Sequence, residues 1–402
     1  MDSSPQLPAS LLEDRDWDVV VIGAGPAGCI AARELASCGH RVLLVERYQL
    51  PRSKVCGDAL IPDSLRLLGR LGLDAEVLRG AHRTQAVRVY SRAGVSFELS
   101  TDLVTLERKV FDARLAEAAR FVGATICFGT AASVEIRSAG GVRVVMSNPR
   151  HAILARLAIV ATGANVSLLE PLGMVTRHQH DAVAARLYLE SSEDTLPPIV
   201  TFDESVKPGY AWVFPMGQGK YNLGCGVFLE SAERRNLRDL LESFTREFPP
   251  VKALLSKGRA LGRVEGARLR AGLSGVRAHD GGWVIAAGEA TGTTYPFTGE
   301  GIGKAMETGL LAARHAHQAL EEGSVGPLSN FSRTIHTELA PRYEGYRVAQ
   351  RWLVHSGLNN LVARRARASA RLRGTLSGIL NETVDPRRVF SVPGILRALA
   401  GR

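Results

Sequence analysis

The chain lacks any run approaching roughly eighteen uninterrupted apolar residues, so the sequence predicts no membrane span. Its start, MDSSPQLPASLLEDRDWD, lacks the basic opening and apolar centre of a secretory signal. Cysteine is scarce: Cys29, Cys38, Cys56, Cys127 and Cys225 are odd in number, scattered, and form no C-x-x-C pair. That argues against a disulfide framework or a zinc site and for a reducing cytoplasm. His178, His180, His279, His315 and His317 show no metal spacing with acidic partners, so no metal is expected. Lysine is absent from residues 331 to 402, which carry 13 arginines and 4 acidic residues, hence +9 of the net +10. No aromatic residues alternate with these arginines, which makes nucleic acid the weakest partner. A solvated helical face and a peripheral contact with an anionic membrane surface both stay open for this region.

What is present suits two intimately joined domains: 402 residues, 45% apolar and 22% charged. DVVVIGAGPAG is a buried strand breaking into a glycine turn, a helix follows at about 26–38, and HRVLLVE ends a second buried strand at Glu46. This order is a βαβ unit with a parallel sheet. Alternating segments between 84 and 99 and a strand-rich stretch from about 176 to 275 indicate a second sheet. The expected fold is α/β: a doubly wound, Rossmann-like nucleotide-binding domain with an interleaved mixed or antiparallel β-sheet domain and a helical C-terminal region. The first takes residues 15–80, 101–170 and 276–330, the second 81–100 and 171–275, and the basic helices 331–402.

Gly23, Gly25 and Gly28 form G-x-G-x-x-G between a strand and a helix. The first permits a tight turn, the second lets backbone approach a pyrophosphate, and the third lets helix and strand pack closely. Glu46, eighteen residues beyond Gly28, suits the ribose hydroxyls of an adenosine and would repel a 2′-phosphate. A second strand–turn–helix, GEATGTTYPFTGEG at 288–301, precedes Ile302, Met306 and Leu310 at helical spacing. Glu300 sits at that helix start, where the macrodipole favours it as a cap.

With these segments, VATGA at 160–164 and AAGEATGTTYPFTGEGIGKAM, the chain resembles the FAD-binding frame of p-hydroxybenzoate-hydroxylase-type flavoproteins. PRSKVCGDAL at 51–60 and GYAWVFPMGQGKYNLGCGVF at 209–228 are similar to motifs of the geranylgeranyl reductase family, as is the ending NETVDPRRVFSVPGILRALAG. The resemblance implies FAD held at Gly23, Gly25, Pro26, Ala27 and Gly28, with Glu46 and Arg47 at the adenosine. It implies Arg52, Lys54, Cys56, Gly57 and Arg108 near the cofactor, and Ala161, Thr162 and Gly163 beside its adenine half. Pro296, Gly299, Gly301 and Ile302 would line the flavin's pyrimidine side. The family usually has Gly-Asp at the ribityl chain, whereas this chain has Gly288-Glu289, one methylene longer.

Cys56, Tyr210 and Trp212 are the candidate catalytic residues. Saturating an unpolarised alkene needs hydride on one carbon and a proton from a positioned acid on the other. A thiol, neutral near pH 7, can donate or shape such a site. Tyr210, Trp212 and Phe214 share a face by period two and, with Tyr221 and Tyr295, form a candidate apolar substrate wall. Without a second glycine-rich nucleotide motif, NAD(P)H or another electron carrier must visit the FAD directly. The expected activity is FAD-dependent reduction of C=C bonds in a polyprenyl or other apolar small-molecule or lipid substrate. A single-component FAD monooxygenase is the alternative, a halogenase less so because W-x-W-x-I-P is met only at Trp212 and Pro215. A flavin-binding sensor is a third reading.

Overall fold

The computed structural model describes residues 17–138, 140–147, 152–193, 195–207, 209–228, 236–353 and 355–389. The C-terminal end of the expected basic region, 390–402, lies outside them. Two sheets organise the chain. In the first, strands Thr125–Phe128, Val42–Glu46, Trp17–Ile22 and Ala152–Val160 lie side by side in parallel. Strand Ala152–Val160 divides its outer edge: its first half pairs antiparallel with Val142–Met146, its second half parallel with Val284–Ala286. The central strands are buried throughout because both faces are covered. Val19 and Val21 face the helices, while Val20 and Ile22 enter a second apolar cluster on the opposite side.

Three helices lie on the first face: Pro26–Ser37, Arg108–Phe121 and Ile302–Glu322. The first and third approach unusually closely at Gly309, where an added Cβ would sit 2.9 Å from the Ala27 Cα. This contact fixes where the start of helix Ile302–Glu322 lies relative to the glycine turn.

The second sheet has eight strands, in the order Gly258–Leu269, Ala182–Ser191, Lys220–Phe228, Tyr210–Gly217, Ile199–Thr201, His82–Tyr90, Ser96–Thr105 and Ala59–Leu60. It takes in residues 59–60 and 101–105, beyond the expected 81–100, because Leu103 and Val104 continue the buried pattern. Helices Leu237–Glu247 and Pro249–Ser256 cover its outer face through Phe244, Phe248 and Leu254. Its inner face meets the first domain. Helices Ala340–Leu353, Ser356–Ala368 and Ala370–Leu380 close the far end.

All five cysteines are free thiols. Among the described residues no helix is long and apolar enough to cross a membrane.

Gly309→Ala is expected to cost about 1–3 kcal/mol by forcing the two helices apart, read as a lower urea midpoint. Gly69→Ala, where an added Cβ meets nothing and the backbone is helical, should leave stability unchanged or slightly raised.

Candidate active site

One cavity of about 580 Å³ runs between the two sheets. At one end it meets the glycine turn. Gly23 has φ +108°, and a Cβ on it or on Gly28 would strike backbone, so both are closed positions. Gly25 is the opposite: a Cβ there meets nothing within 4 Å. The turn therefore wraps open space in front of helix Pro26–Ser37, whose N-terminus no side chain caps. Helix Ile302–Glu322 likewise starts uncapped at Gly301, and Gly301 and Ile302 line the same cavity. Two helix N-termini thus direct unsatisfied N–H groups and partial positive charge at one volume, as an anionic ligand requires.

Charged side chains brace this end. Glu46 accepts from Ala24 N at 2.9 Å and Tyr48 N at 3.2 Å and pairs with Arg52 at 3.3 Å. Arg52 also reaches the fully buried Asp112 at 3.1 Å, and Asp112 takes a two-point contact from Arg108 at 2.8 and 2.9 Å. Burial opposes the Arg108 charge, but Asp112 and then Cys56 hold its guanidinium above the usual range. Burial raises the Cys56 thiol, against the opposing pull of Arg108, so Sγ is protonated at neutral pH. Glu289 points its carboxylate into the cavity, with Oε2 3.9 Å from Lys54 Nζ, and it sits against Gly163.

The middle of the cavity is aromatic. Alternation sends Ala211 and Val213 into the core behind the sheet and leaves Tyr210, Trp212 and Phe214 on the cavity side. Cross-strand partners Gly226 and Gly224 make room for two of these rings; a Cβ on Gly224 would overlap the Trp212 indole. Trp212 Nε1 donates to Asn222 Oδ1 at 2.9 Å. Asn222 Nδ2 in turn donates to Cys56 O at 2.8 Å and to Asp58 Oδ2 at 2.9 Å. Asp58 is fully buried with a left-handed φ of +59° and also accepts from the Tyr188 hydroxyl and from Arg108 N. Burial raises its pKa, partly offset by hydrogen bonds from Tyr188, Arg108 N and Asn222. Beyond the rings an apolar arm continues past Val87, Leu99 and Leu103 to Val362, Leu376 and Ile379.

Residues 16–206 match the family model described as an FAD binding domain, and residues 183–261 match the geranylgeranyl reductase catalytic domain. The chain is 33% identical over 355 residues to a menaquinone reductase of Mycolicibacterium smegmatis, covering 83% of each chain. It is 30% identical over 329 residues to a digeranylgeranylglycerophospholipid reductase of Methanosarcina acetivorans, covering 77% of each. The chain belongs to the geranylgeranyl reductase family. It is an FAD-dependent oxidoreductase. Among solved structures, a geranylgeranyl bacteriochlorophyll reductase-like protein from Thermoplasma acidophilum superposes with a TM-score of 0.74 at 24% identity, covering 96% of each chain. A flavin-dependent brominase does so at 0.76 and 18%, covering 96% of this chain and 98% of its own. At these identities the two share the fold.

The open cradle at Gly25 and the uncapped helix starts fit the pyrophosphate and the electron-rich ring of FAD. Gly23, Gly25, Pro26, Ala27, Glu46, Arg47, Arg52, Lys54, Cys56, Gly57, Arg108, Ala161, Thr162, Gly163, Glu289, Gly299, Gly301 and Ile302 all line the cavity. Gly28 and Gly288 stand behind it as packing positions: a Cβ on Gly288 would come within 2.7 Å of the Ala27 Cβ. Pro296 is also outside the lining; its neighbours Phe297 and Thr298 take that place. Phe297 carries a strained φ of +76° and stacks on Phe202 at 5.5 Å.

Two expected wall residues lie elsewhere. Tyr221 pairs with Pro215, not with the Tyr210–Trp212–Phe214 set, so it points into the core and donates to Glu193 O. Tyr295 is buried between Tyr343 and Tyr346 and donates to Glu382. Glu300 does not cap its helix: the N-cap is Gly301, without any side-chain bond, and Glu300 lines the cavity instead. Asp58, Asn222, Phe202 and Phe297 were not singled out from the sequence as site residues. Asp58 lies within the quoted K-V-C-G-D, the one local signal that could have marked it.

Folding also brings His317 and Glu321, one turn apart, beside His40, a group invisible to histidine spacing alone. His40 Nε2 and His317 Nδ1 are 2.8 Å apart and hydrogen-bond to each other. Tetrahedral ligands about 2.0–2.1 Å from one zinc ion would stand farther apart than that. The pair ties the chain after helix Pro26–Ser37 to helix Ile302–Glu322.

Gly25→Val is expected to leave the cofactor-free fold intact, since space is open there, while FAD occupancy after purification falls several-fold. The flavin-to-protein absorbance ratio and the urea midpoint of the cofactor-stripped protein check both parts.

Proposed function

We propose that this protein saturates isolated C=C bonds of a polyprenyl chain carried on a quinone, a lipid or a similar apolar molecule. The supporting observation is the single cavity that joins the glycine cradle to an apolar arm past Tyr210, Trp212 and Phe214. The names of the relatives, menaquinone reductase and digeranylgeranylglycerophospholipid reductase, point to the same substrate class. When bound and reduced, FAD supplies hydride from its N5.

The chain's residues do the rest. Glu46 fixes the glycine turn, Arg52 and Arg108 hold Asp112 and the base of the cavity, and Glu289 with Lys54 would hold the ribityl chain. The rings orient an extended hydrocarbon and exclude water. Cys56 and Tyr210 line the cavity, each with its pKa raised by burial, and the Tyr210 hydroxyl donates to Thr298 O at 3.0 Å. The reductant that recharges FAD is a diffusing nicotinamide or another carrier that reaches the cavity from solvent.

The apolar arm runs beneath helices Ser356–Ala368 and Ala370–Leu380, whose outer faces expose Arg364, Arg365, Arg367 and Arg371. A lipid substrate entering from an anionic bilayer would meet this face first. Arg373 has a different task, donating to Ala366 O and Arg367 O at 3.0 Å across the helix junction.

Anaerobic, reduced flavoprotein offered geranylgeranyl-type substrates should yield product gaining two hydrogens, seen by mass spectrometry. Oxygen-dependent gain of an oxygen atom instead would overturn the reading. Trp212→Ala should lower kcat/KM about 10-fold or more through lost positioning. Neutralising Arg364, Arg365, Arg367 and Arg371 together should reduce co-sedimentation with anionic liposomes, and unchanged binding would leave that face merely solvated.

A further inference from the structure

Three carboxyl groups line the cavity among the described residues: Glu46, Glu289 and Glu300. Glu46 is bonded to Ala24 N and Arg52, and Glu289 faces Lys54 and Arg270 N. Glu300 has neither kind of partner. Its Oε2 is buried with no hydrogen bond, although it precedes a helix whose N–H groups could have taken it as a cap. A buried oxygen without a hydrogen bond disfavours the ionised carboxylate relative to the neutral acid.

The surroundings favour the neutral form. Behind Glu300 lies a buried ionic cluster on four separate segments. Lys304 Nζ contacts Glu307 at 2.7 Å, Glu382 at 3.0 Å and Asp63 at 3.5 Å, and Arg342 lies 3.7 Å from Glu382 and 3.9 Å from Glu307. Three carboxyls already face two cations, and Glu300 would make a fourth. Burial, then Asp63 and Glu382, raise the Glu300 pKa, with Lys304 the opposing influence. Tyr210 on the sheet and Tyr346 on helix Ala340–Leu353 line the cavity, and a Cβ on Gly299 would strike the Tyr210 hydroxyl while one on Gly303 would strike Asp63. Glu300 therefore stands between the aromatic wall and the cluster. The cluster reaches solvent at Glu307 and Arg342, whose side chains are 29% and 47% exposed.

We propose that Glu300 is the acid that protonates the alkene. This rests on the reductase reading above. The Glu300 O–H bond breaks and a C–H bond forms at one alkene carbon, using the π electron pair. The other carbon receives the hydride of the reduction, so two electrons and two protons in all enter the product. The positive charge of Lys304 favours the carboxylate left behind, which regains its proton from solvent reaching the cavity. Burial raises the pKa of all three groups, and Cys56 and Tyr210 are less suited to this step because Glu300 has the more acidic parent group. They contribute the wall that holds the chain.

The test uses full-length, FAD-loaded protein, with Glu300→Gln as the isosteric variant and Glu300→Asp as the conservative one. Anaerobic single turnover with a geranylgeranyl substrate should slow about 100-fold in the Gln variant. The rate of the parent protein should fall at alkaline pH, a limb that Glu300→Gln loses and Glu300→Asp partly retains. A second readout needs no turnover. A carboxyl with a raised folded pKa keeps its proton when the unfolded chain has released it. Stability then falls as pH rises from the unfolded glutamate pKa towards the folded one. Glu300→Gln should remove that slope and become the more stable protein at mildly alkaline pH. Equal pH slopes, or a Gln variant turning over at the parent rate, would overturn the proposal. A slope difference without alkene reduction by either protein would instead sink the reductase reading, and with it the acid's task.

Discussion

The carboxylate of Asp58 is the joint on which the site depends. It lies in the seam between the two sheets and accepts hydrogen bonds from both sides: Arg108 N from the cofactor domain, and Tyr188 and Asn222 from the second sheet. Asn222 passes the constraint on to Cys56 O and to the Trp212 indole. The Cys56 loop, the aromatic wall and the start of helix Arg108–Phe121 are thereby set against one another by one buried group. Each hydrogen bond to such a charged acceptor contributes about 1.5–3 kcal/mol, while losing the acceptor strands three donors. The left-handed backbone at Asp58 is the conformational cost of aiming that carboxylate inward.

A second constraint is electrostatic. Two uncapped helix starts, at Gly25 and Gly301, leave positive backbone potential in the cavity. The nearby cations, Arg52 and Arg108, are largely neutralised by Glu46 and the buried Asp112. The cavity is thus favourable to the anionic parts of a dinucleotide without exposing strong charge to a hydrocarbon. Close packing at Gly309 against Ala27 keeps the two helix starts at a fixed separation.

The frame was legible in the sequence because local rules produce it. A wholly apolar strand, a glycine turn and a helix, with Glu46 closing the next strand, read directly as the first βαβ unit. K-x-C-G and Y-x-W-x-F-P were visible for the same reason, and period two alone put Tyr210, Trp212 and Phe214 on one face. Tyr221 was misplaced because its direction follows from cross-strand register with Pro215, which strand periodicity does not specify. Tyr295 was misplaced because the C-terminal helices bring Tyr343, Tyr346 and Glu382 to meet it, contacts between residues far apart in the chain.

The sequence by itself determined the α/β class, the cradle at Gly23–Gly28, the family and the aromatic row, since each rests on neighbours within a turn or a strand. Only the tertiary structure decided which carboxyl groups have partners. Glu46, Glu289 and Glu300 are alike as letters, and the helix start made a cap the natural reading of Glu300. Its raised pKa comes from burial first, then from Asp63 and Glu382, which other elements bring near it, against the opposing charge of Lys304. Charge state in a low-dielectric interior is set by what surrounds a group in space, and sequence proximity does not encode that.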